Sequence, residues 1–195
     1  MDILSPSQRH TNMAAVRSKD TRPEMIVRHW LWRRGFRYRL NDPRLPGHPD
    51  LVLRKYRTCI FVNGCFWHGH KGCSKFVMPK TRTEFWANKI ARNQERDLVN
   101  IQRLESIGWS AITIWECELS KSGIENTMEK IESMLAENRT KWTEYQAHRR
   151  ESRKFAIEQA RRRREINAII EAELNERFGI PEKIRRLSRI DEDFS

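Results

Sequence analysis

Glycine, proline and cysteine are scarce in this chain, and long apolar runs are missing. Among 195 residues there are 8 Gly, 7 Pro and 4 Cys. No window approaches the ~20 apolar residues that a membrane helix requires, so no membrane association is expected. The first residues, MDILSPSQRHTNM, lack the form of a signal peptide, which predicts a cytoplasmic chain with reduced thiols. Cys59, Cys65, Cys73 and Cys117 are then candidates for metal binding or burial, not for a disulfide framework. Negative charge is also in short supply: 26 acidic side chains face 38 basic ones, a formal charge of +12. Such an excess points to a polyanionic partner, nucleic acid first; a generally basic surface without a partner is the alternative.

What is there alternates between helical and strand patterns. Residues 1–22 are polar and basic and read as an arm. Over 23–34, Met25, Ile26, His29, Trp30 and Leu31 recur at helical spacing, with Thr21 as cap, Glu24 in the first turn and Gly35 as the stop. FRYRL reads as a half-buried strand with Phe36, Tyr38 and Leu40 on one face. LVL and TCIFVN read as two strands joined by a short basic turn. A long helix is predicted over 83–107, carrying Phe85, Trp86, Ile90, Leu98, Ile101 and Leu104, and SAITIWE is a further strand. This order predicts an α/β fold with a central mixed sheet flanked by helices. An amphipathic helix is expected over 123–138. From 139 to 178 charge is dense and helix breakers are rare, predicting a long helix, and a last short helix is expected after Gly179-Ile180-Pro181. Residues 139–195 hold 15 basic and 11 acidic side chains, against 23 and 15 in the remainder, so this extension is not the main source of positive charge. It reads either as a solvated helix or as a basic extension adding phosphate contacts through 161–164. The expected organisation is a domain over 1–138 and a charged helical extension over 139–195.

The densest chemistry lies in GCFWHGHKGC, residues 64–73. Tetrahedral zinc takes four ligands, usually thiolate and imidazole, sometimes a carboxylate. His70, Cys73 and Cys117 supply three, and the long helix offers Asp97 as a fourth. Cys65 is a competing ligand, and buried free thiols are the alternative. Asp50, at the mouth of the LVL strand, is placed to hold a hard cation such as magnesium, with backbone carbonyls at Val62 and Asn63 near it if the strands pair; an ordinary turn aspartate is the alternative. His68 suits a general base, or else serves the metal site. Phe66, Trp67 and Trp86 are candidates for stacking on or wedging between bases, or for packing into the core.

Taken together, RHTNMAAVRSKDTRPE, LPGHPDLVL, IFVNGCFWHGHKGC, PKTRTEFW, KIARNQERD and GWSAITIWEC resemble the very-short-patch-repair (Vsr) mismatch endonucleases, over about residues 8–120. The resemblance implies a restriction-endonuclease-like core. It implies an enzyme that nicks double-stranded DNA 5′ to the thymine of a T·G mismatch left by deamination of 5-methylcytosine, using Mg2+ and carrying a structural Zn2+. It assigns Asp50 and the Val62 carbonyl to magnesium, His68 to catalysis and Glu24 to support of the site. It assigns His70, Cys73, Asp97 and Cys117 to zinc. Phe66, Trp67 and Trp86 would enter the duplex from the major groove, and Met13 would approach from the minor groove. The chain is expected to be monomeric and nucleoid-associated when acting on DNA, with other repair proteins as further partners. Two departures stand out. Asn63 occupies a position where some members have a second histidine, and Lys71-Gly72 adds one residue before Cys73. A general or structure-specific nuclease and a zinc-stabilised DNA-binding module without catalysis are the competing readings.

Overall fold

The computed structural model describes residues 19–179, together with Ser5, Ser7, Gln8, Thr11, Ala14 and Ala15. Met13 and the short helix expected after Pro181 lie outside the described residues. The chain divides into one unit over 1–142 and a second over 143–195.

Helix α1 (Arg22–Arg33) starts where the sequence says it should. The Thr21 hydroxyl accepts from the Glu24 amide, and the Glu24 carboxylate accepts from the Thr21 amide at 3.4 Å, a reciprocal cap satisfying two amides that the helix leaves open. Strands β1 (Arg39–Leu40), β2 (Leu51–Leu53), β3 (Thr58–Asn63) and β4 (Ser110–Trp115) form one sheet in that order. The first two pairings are antiparallel, and β3 and β4 run parallel from Thr58↔Ser110 to Asn63↔Trp115. A parallel pair needs a crossover, and α2 (Thr83–Ser106) supplies it.

Alternation along the strands sorts side chains to two buried faces. Leu51, Leu53, Ile60, Ile112 and Ile114 pack with Val27 and Leu31 of α1 and with Met128, Ile131 and Leu135 of α3 (Ile124–Phe178). Val52, Cys59 and Trp109 pack with Leu104 of α2 on the other face. Each fully buried Leu or Ile contributes ~1.5–3 kcal/mol, so these two layers hold the unit together. The turn between β2 and β3 is fastened to the end of α2. The Arg57 guanidinium lies over the Trp109 ring at 4.2 Å and donates to the carbonyls of Ile107 (2.9 Å) and Gly108 (3.0 Å).

Two expectations fail for local reasons. FRYRL is a strand only at Arg39 and Leu40, because β2 is three residues long and ends before it could offer partners to Phe36 and Arg37. Phe36 is buried instead against Tyr56, with ring centroids 5.3 Å apart, while Leu40 is exposed. On α2, Ile90 and Leu104 are buried but Phe85 and Leu98 are exposed. The middle of α2 turns its amide and carboxylate side chains, not an apolar stripe, toward the loop that follows β3.

That loop packs against α2 without slack. Gly69 has φ +61, and a Cβ there would come within 2.5 Å of Ile90 Cγ2 and 2.6 Å of Gln94 Nε2. Gly72 shares the left-handed backbone (φ +71) but faces open space. Gly69→Ala is therefore expected to destabilise the fold by ~2–4 kcal/mol, backbone strain and overpacking together. Gly72→Ala should cost only the ~1–2 kcal/mol of backbone strain. Equal losses in denaturant melts would show that the loop is not pressed on the helix.

Candidate active site and metal centre

The carboxyl ends of β3 and β4 lie side by side, and both connections leaving them carry metal-binding side chains. Gly64 begins the loop after β3, and Cys117 sits in the 3₁₀ turn Glu116–Leu119 just past β4. Backbone bonds from the His68 amide to the Gly64 carbonyl (3.2 Å) and from the His70 amide to the Cys65 carbonyl (2.9 Å) wind the loop into a tight turn.

Cys65, His70, Cys73 and Cys117 converge, with one donor atom from each lying within 4.8 Å of all the others. Nδ1 of His70 is 3.3 Å from the Cys117 sulfur and 3.6 Å from the Cys65 sulfur. A tetrahedral ion with bonds of ~2.0–2.3 Å separates its donors by about 3.3–3.8 Å, so the set fits a closed site for zinc or a similar soft cation. The His70 ring stacks on Trp115 at 4.1 Å, which fixes its plane. Burial pushes the Cys65 thiol up to about 12 and raises Cys117, while the Lys75 amide lowers Cys73. A cation entering here must therefore displace protons, which makes its affinity fall with falling pH.

Asp97 is not part of this cluster, which corrects the expected ligand set. Its carboxylate meets Nδ1 of His68, and Cys65 takes the fourth place around His70. The reason lies on α2. Asn93 donates to the Trp67 carbonyl (2.8 Å), and Gln94 donates to the carbonyls of His68 (3.2 Å) and Gly69 (3.1 Å). Asp97 is one turn further on the same helix face, so it reaches the His68 side chain. Asn93 and Gln94 were not singled out from the sequence; their spacing of four and three residues before Asp97 was the available signal.

His68, Asp97, Asp50, Asn63 and Glu24 line one cleft of about 1600 Å³. Asp50 precedes β2, and its Oδ2 accepts from the Val62 amide at 2.7 Å, because antiparallel pairing lays the start of β2 beside the end of β3. Burial is the main reason its carboxyl sits up at about 6, and the charge of Glu24 adds to it. Glu24 is itself buried and bonded to Arg28 at 2.7 Å. Arg28 also meets Asp20, and its buried Nε has no hydrogen-bond partner among the described residues. Beside the cleft, Phe66, Trp67 and Trp86 form a half-exposed aromatic cluster, with centroids 5.2 Å apart from Phe66 to each Trp and 6.0 Å between the two Trp rings. The Lys89 ammonium lies over both Trp rings at 5.4 and 5.6 Å. The structure thus brings Asp50, His68 and Glu24 to one cleft and the three aromatic residues to its rim, while Met13 lies outside the described residues.

The donor geometry sets a test. Cys65→Ala and Cys117→Ala should lose the bound metal of the purified protein, about one ion per chain in the wild type, and lower its melting temperature. Asp97→Ala should keep the metal. Elemental analysis in which Asp97→Ala empties the centre while Cys65→Ala fills it would overturn the assignment.

Comparison with known proteins agrees with this chemistry. The profile of the family described as DNA mismatch endonuclease Vsr matches residues 1–75. A type II nicking enzyme, V.NmeAIP of Neisseria meningitidis, is 50% identical over 123 residues, covering 63% of this chain and 87% of that protein. V.XorIIP of Xanthomonas oryzae, also a type II nicking enzyme, is 47% identical over 122 residues, 63% of this chain and 89% of its own length. The DNA mismatch endonuclease Vsr of Escherichia coli is 44% identical over 118 residues, 60% of this chain and 75% of that enzyme. With relatives this similar matched over most of their length, the chain belongs to the Vsr family of DNA mismatch endonucleases.

Proposed function

We propose that the protein nicks double-stranded DNA 5′ to the thymine of a T·G mismatch, using Mg2+ on a restriction-endonuclease-like core, and so initiates very short patch repair. The observation that carries this reading is the pairing of Asp97 with His68 Nδ1 in the same cleft as the half-buried Asp50. Asp97 holds the imidazole by one nitrogen and leaves Nε2 to take a proton from an attacking water, the division of labour of an oriented general base. Asp50 would hold magnesium through its carboxylate, with the Val62 carbonyl as a second ligand. The site's chemistry fits a hard cation, because desolvation and the charge of Glu24 penalise the bare Asp50 carboxylate more than the charge of Arg28 relieves it. Bound there, the ion supplies charge stabilisation to the phosphodiester and lowers the pKa of water. Glu24 keeps the cleft negative enough to attract the cation, while Arg28 neutralises the helix side.

The metal cluster supports the mismatch part of the reading. It fixes the turn that carries Phe66 and Trp67 on one side and His68 on the other. A wedge between base steps costs a few kcal/mol of unstacking, and a mismatched step gives way more cheaply than a paired one. Lys89, over the rings, places positive charge where a phosphate or a polar base edge approaches.

Nicking of T·G and T·A duplexes with and without Mg2+ is the direct test. Asp50→Asn should lower nicking by ~10³-fold or more and leave DNA affinity nearly unchanged. It should also stabilise the protein in chelator. The folded carboxyl sits at about 6, above the ~3.9 of the unfolded chain, so the folded state binds the proton more tightly. Stability from this group is greatest below the unfolded value and falls as pH rises through about 6. Asn removes that loss while keeping an acceptor for the Val62 amide. A gain of ~1–2 kcal/mol near pH 8, vanishing near pH 4, is expected in thermal melts. Asp50→Asn that nicks normally at ordinary Mg2+ would remove Asp50 from the chemistry.

Trp67→Ala should reduce the preference for T·G over T·A by ~10-fold or more, with a smaller loss of affinity for fully paired DNA. Equal losses on the two duplexes would make Trp67 a packing residue only.

A further inference from the structure

Arg28 and Glu24 form an ion pair that water hardly reaches: their side chains are 6% and 5% exposed. Nη2 of Arg28 donates to Glu24 Oε2 at 2.7 Å, and Nη1 donates to Asp20 Oδ1. Nε is buried and has no hydrogen-bond partner among the described residues. Apolar side chains of similar size often stabilise a fold as well as a buried ion pair does, and here one polar nitrogen is left over besides. The pair is therefore poorly explained by stability. What it does achieve is to fix the Glu24 carboxylate.

That carboxylate is already filled by protein donors. An ionised carboxylate offers about four lone-pair sites. Oε2 of Glu24 accepts from Arg28 and from the Asp20 amide at 3.2 Å. Oε1 accepts from the Thr21 hydroxyl at 2.8 Å and the Thr21 amide at 3.4 Å. Asp50 lines the same cleft, but its carboxylate accepts from the Val62 amide alone among the described residues. The two groups are close enough for the charge of Glu24 to act on Asp50. One carboxylate of the cleft is thus open to a cation and its neighbour is closed. This difference bears on which cation fits. Mg2+ keeps several waters and binds through one or two carboxylates, whereas Ca2+ takes about six to eight oxygen ligands and gains affinity with the number of charged ones.

We propose that Arg28 is a positioning residue that sets the cation preference of the cleft: it holds Glu24 against α1, keeps this second carboxylate out of the coordination shell, and leaves a site suited to Mg2+ over Ca2+. The inference rests on the reading of Asp50 as the magnesium ligand. The bond from Arg28 joins two charges, and such bonds are about twice as strong as neutral ones. Without it, Glu24 keeps only the neutral donors of Asp20 and Thr21. Its uncompensated charge then turns to a cation beside Asp50. The ion that accepts more carboxylate oxygens gains more from that turn.

Calorimetric titration of the full chain with Mg2+ and, separately, with Ca2+, in the absence of DNA, tests this without reference to nicking. Arg28→Met should raise the ratio of Ca2+ to Mg2+ affinity by ~10-fold or more. Arg28→Lys keeps a positive charge on Glu24 and should hold the ratio within about threefold of wild type. Glu24→Gln removes a charge that is not a ligand, so it should weaken both ions alike and leave the ratio within about threefold. Adding Glu24→Gln to Arg28→Met should abolish the gain in Ca2+ preference, because the two side chains act as one unit. An unchanged ratio in Arg28→Met overturns the proposal. So does a Glu24→Gln protein that loses Ca2+ affinity ~10-fold more than Mg2+ affinity, since Glu24 would then already be a ligand. That second measurement decides the matter if Arg28→Met does not fold. Asp50→Asn separates this inference from the reading beneath it. If Mg2+ binds Asp50→Asn as tightly as wild type, the magnesium assignment falls and the proposal with it. If Asp50→Asn abolishes binding while Arg28→Met leaves the ratio unchanged, the role of Arg28 alone is wrong.

Discussion

Ten residues after β3 must serve a cluster of potential metal ligands, a helix and a cleft at once, and most of the site's geometry follows from how they do it. Cys65 and His70 turn inward to the cluster, Phe66 and Trp67 turn outward, and His68 turns to Asp97. Such rapid changes of direction require a tight turn, and a tight turn in free chain is entropically costly, about 1–2 kcal/mol per residue fixed. Hydrogen bonds from Asn93 and Gln94 offset part of this. A soft cation held by the cluster would offset more, since structural zinc sites in small domains bind with an apparent ~10–16 kcal/mol near neutral pH. Burial shifts two of the three thiols toward the protonated form, so an ion entering the cluster must displace protons before it can join the loop to the turn after β4. The aim of His68 and the posture of Trp67 therefore depend on chemistry several ångströms away from either.

The cleft shows the opposite balance. Asp50 and Glu24 are carboxylates held close in a partly dry site, and Arg28 is buried beneath them with one nitrogen unbonded. Each of these features lowers stability. They persist because the surrounding sheet and α1 over-determine them. Under the proposed function the two halves of the site divide the work: the cluster positions the loop, while the cleft gives up stability to keep a charge pattern fit for a cation and a phosphate.

Much of this is legible in the sequence. Thr21 as cap and Glu24 in the first turn are local signals, and the structure joins the two in a reciprocal capping box. LVL and TCIFVN are near-continuous apolar runs, the mark of strands covered on both faces, and both are strands. What was not readable depended on partners distant in sequence. Phe36 has strand character, but a three-residue β2 gives it no neighbour to pair with. Leu98 fits a helical stripe, yet the loop that covers this part of α2 takes its place with polar contacts. Asp97 is the instructive case. A carboxylate can serve a metal or orient an imidazole, and residue type does not distinguish them. The discriminating fact is helical phase: Asn93, Gln94 and Asp97 share a face, and once the first two hold the backbone at 67–69, the third can reach only His68.

The extension obeys different physics from the unit that carries the site. A helix without a core relies on propensity and on pairs four residues apart, such as Arg161 with Glu165 and Glu158 with Arg162, each worth only ~0.3–0.5 kcal/mol. Those pairs are local and indifferent to the overall division of charge. A basic first part and an acidic second part gain nothing for one helix taken alone, since exposed charges further apart than the ~8 Å screening length at physiological salt hardly interact.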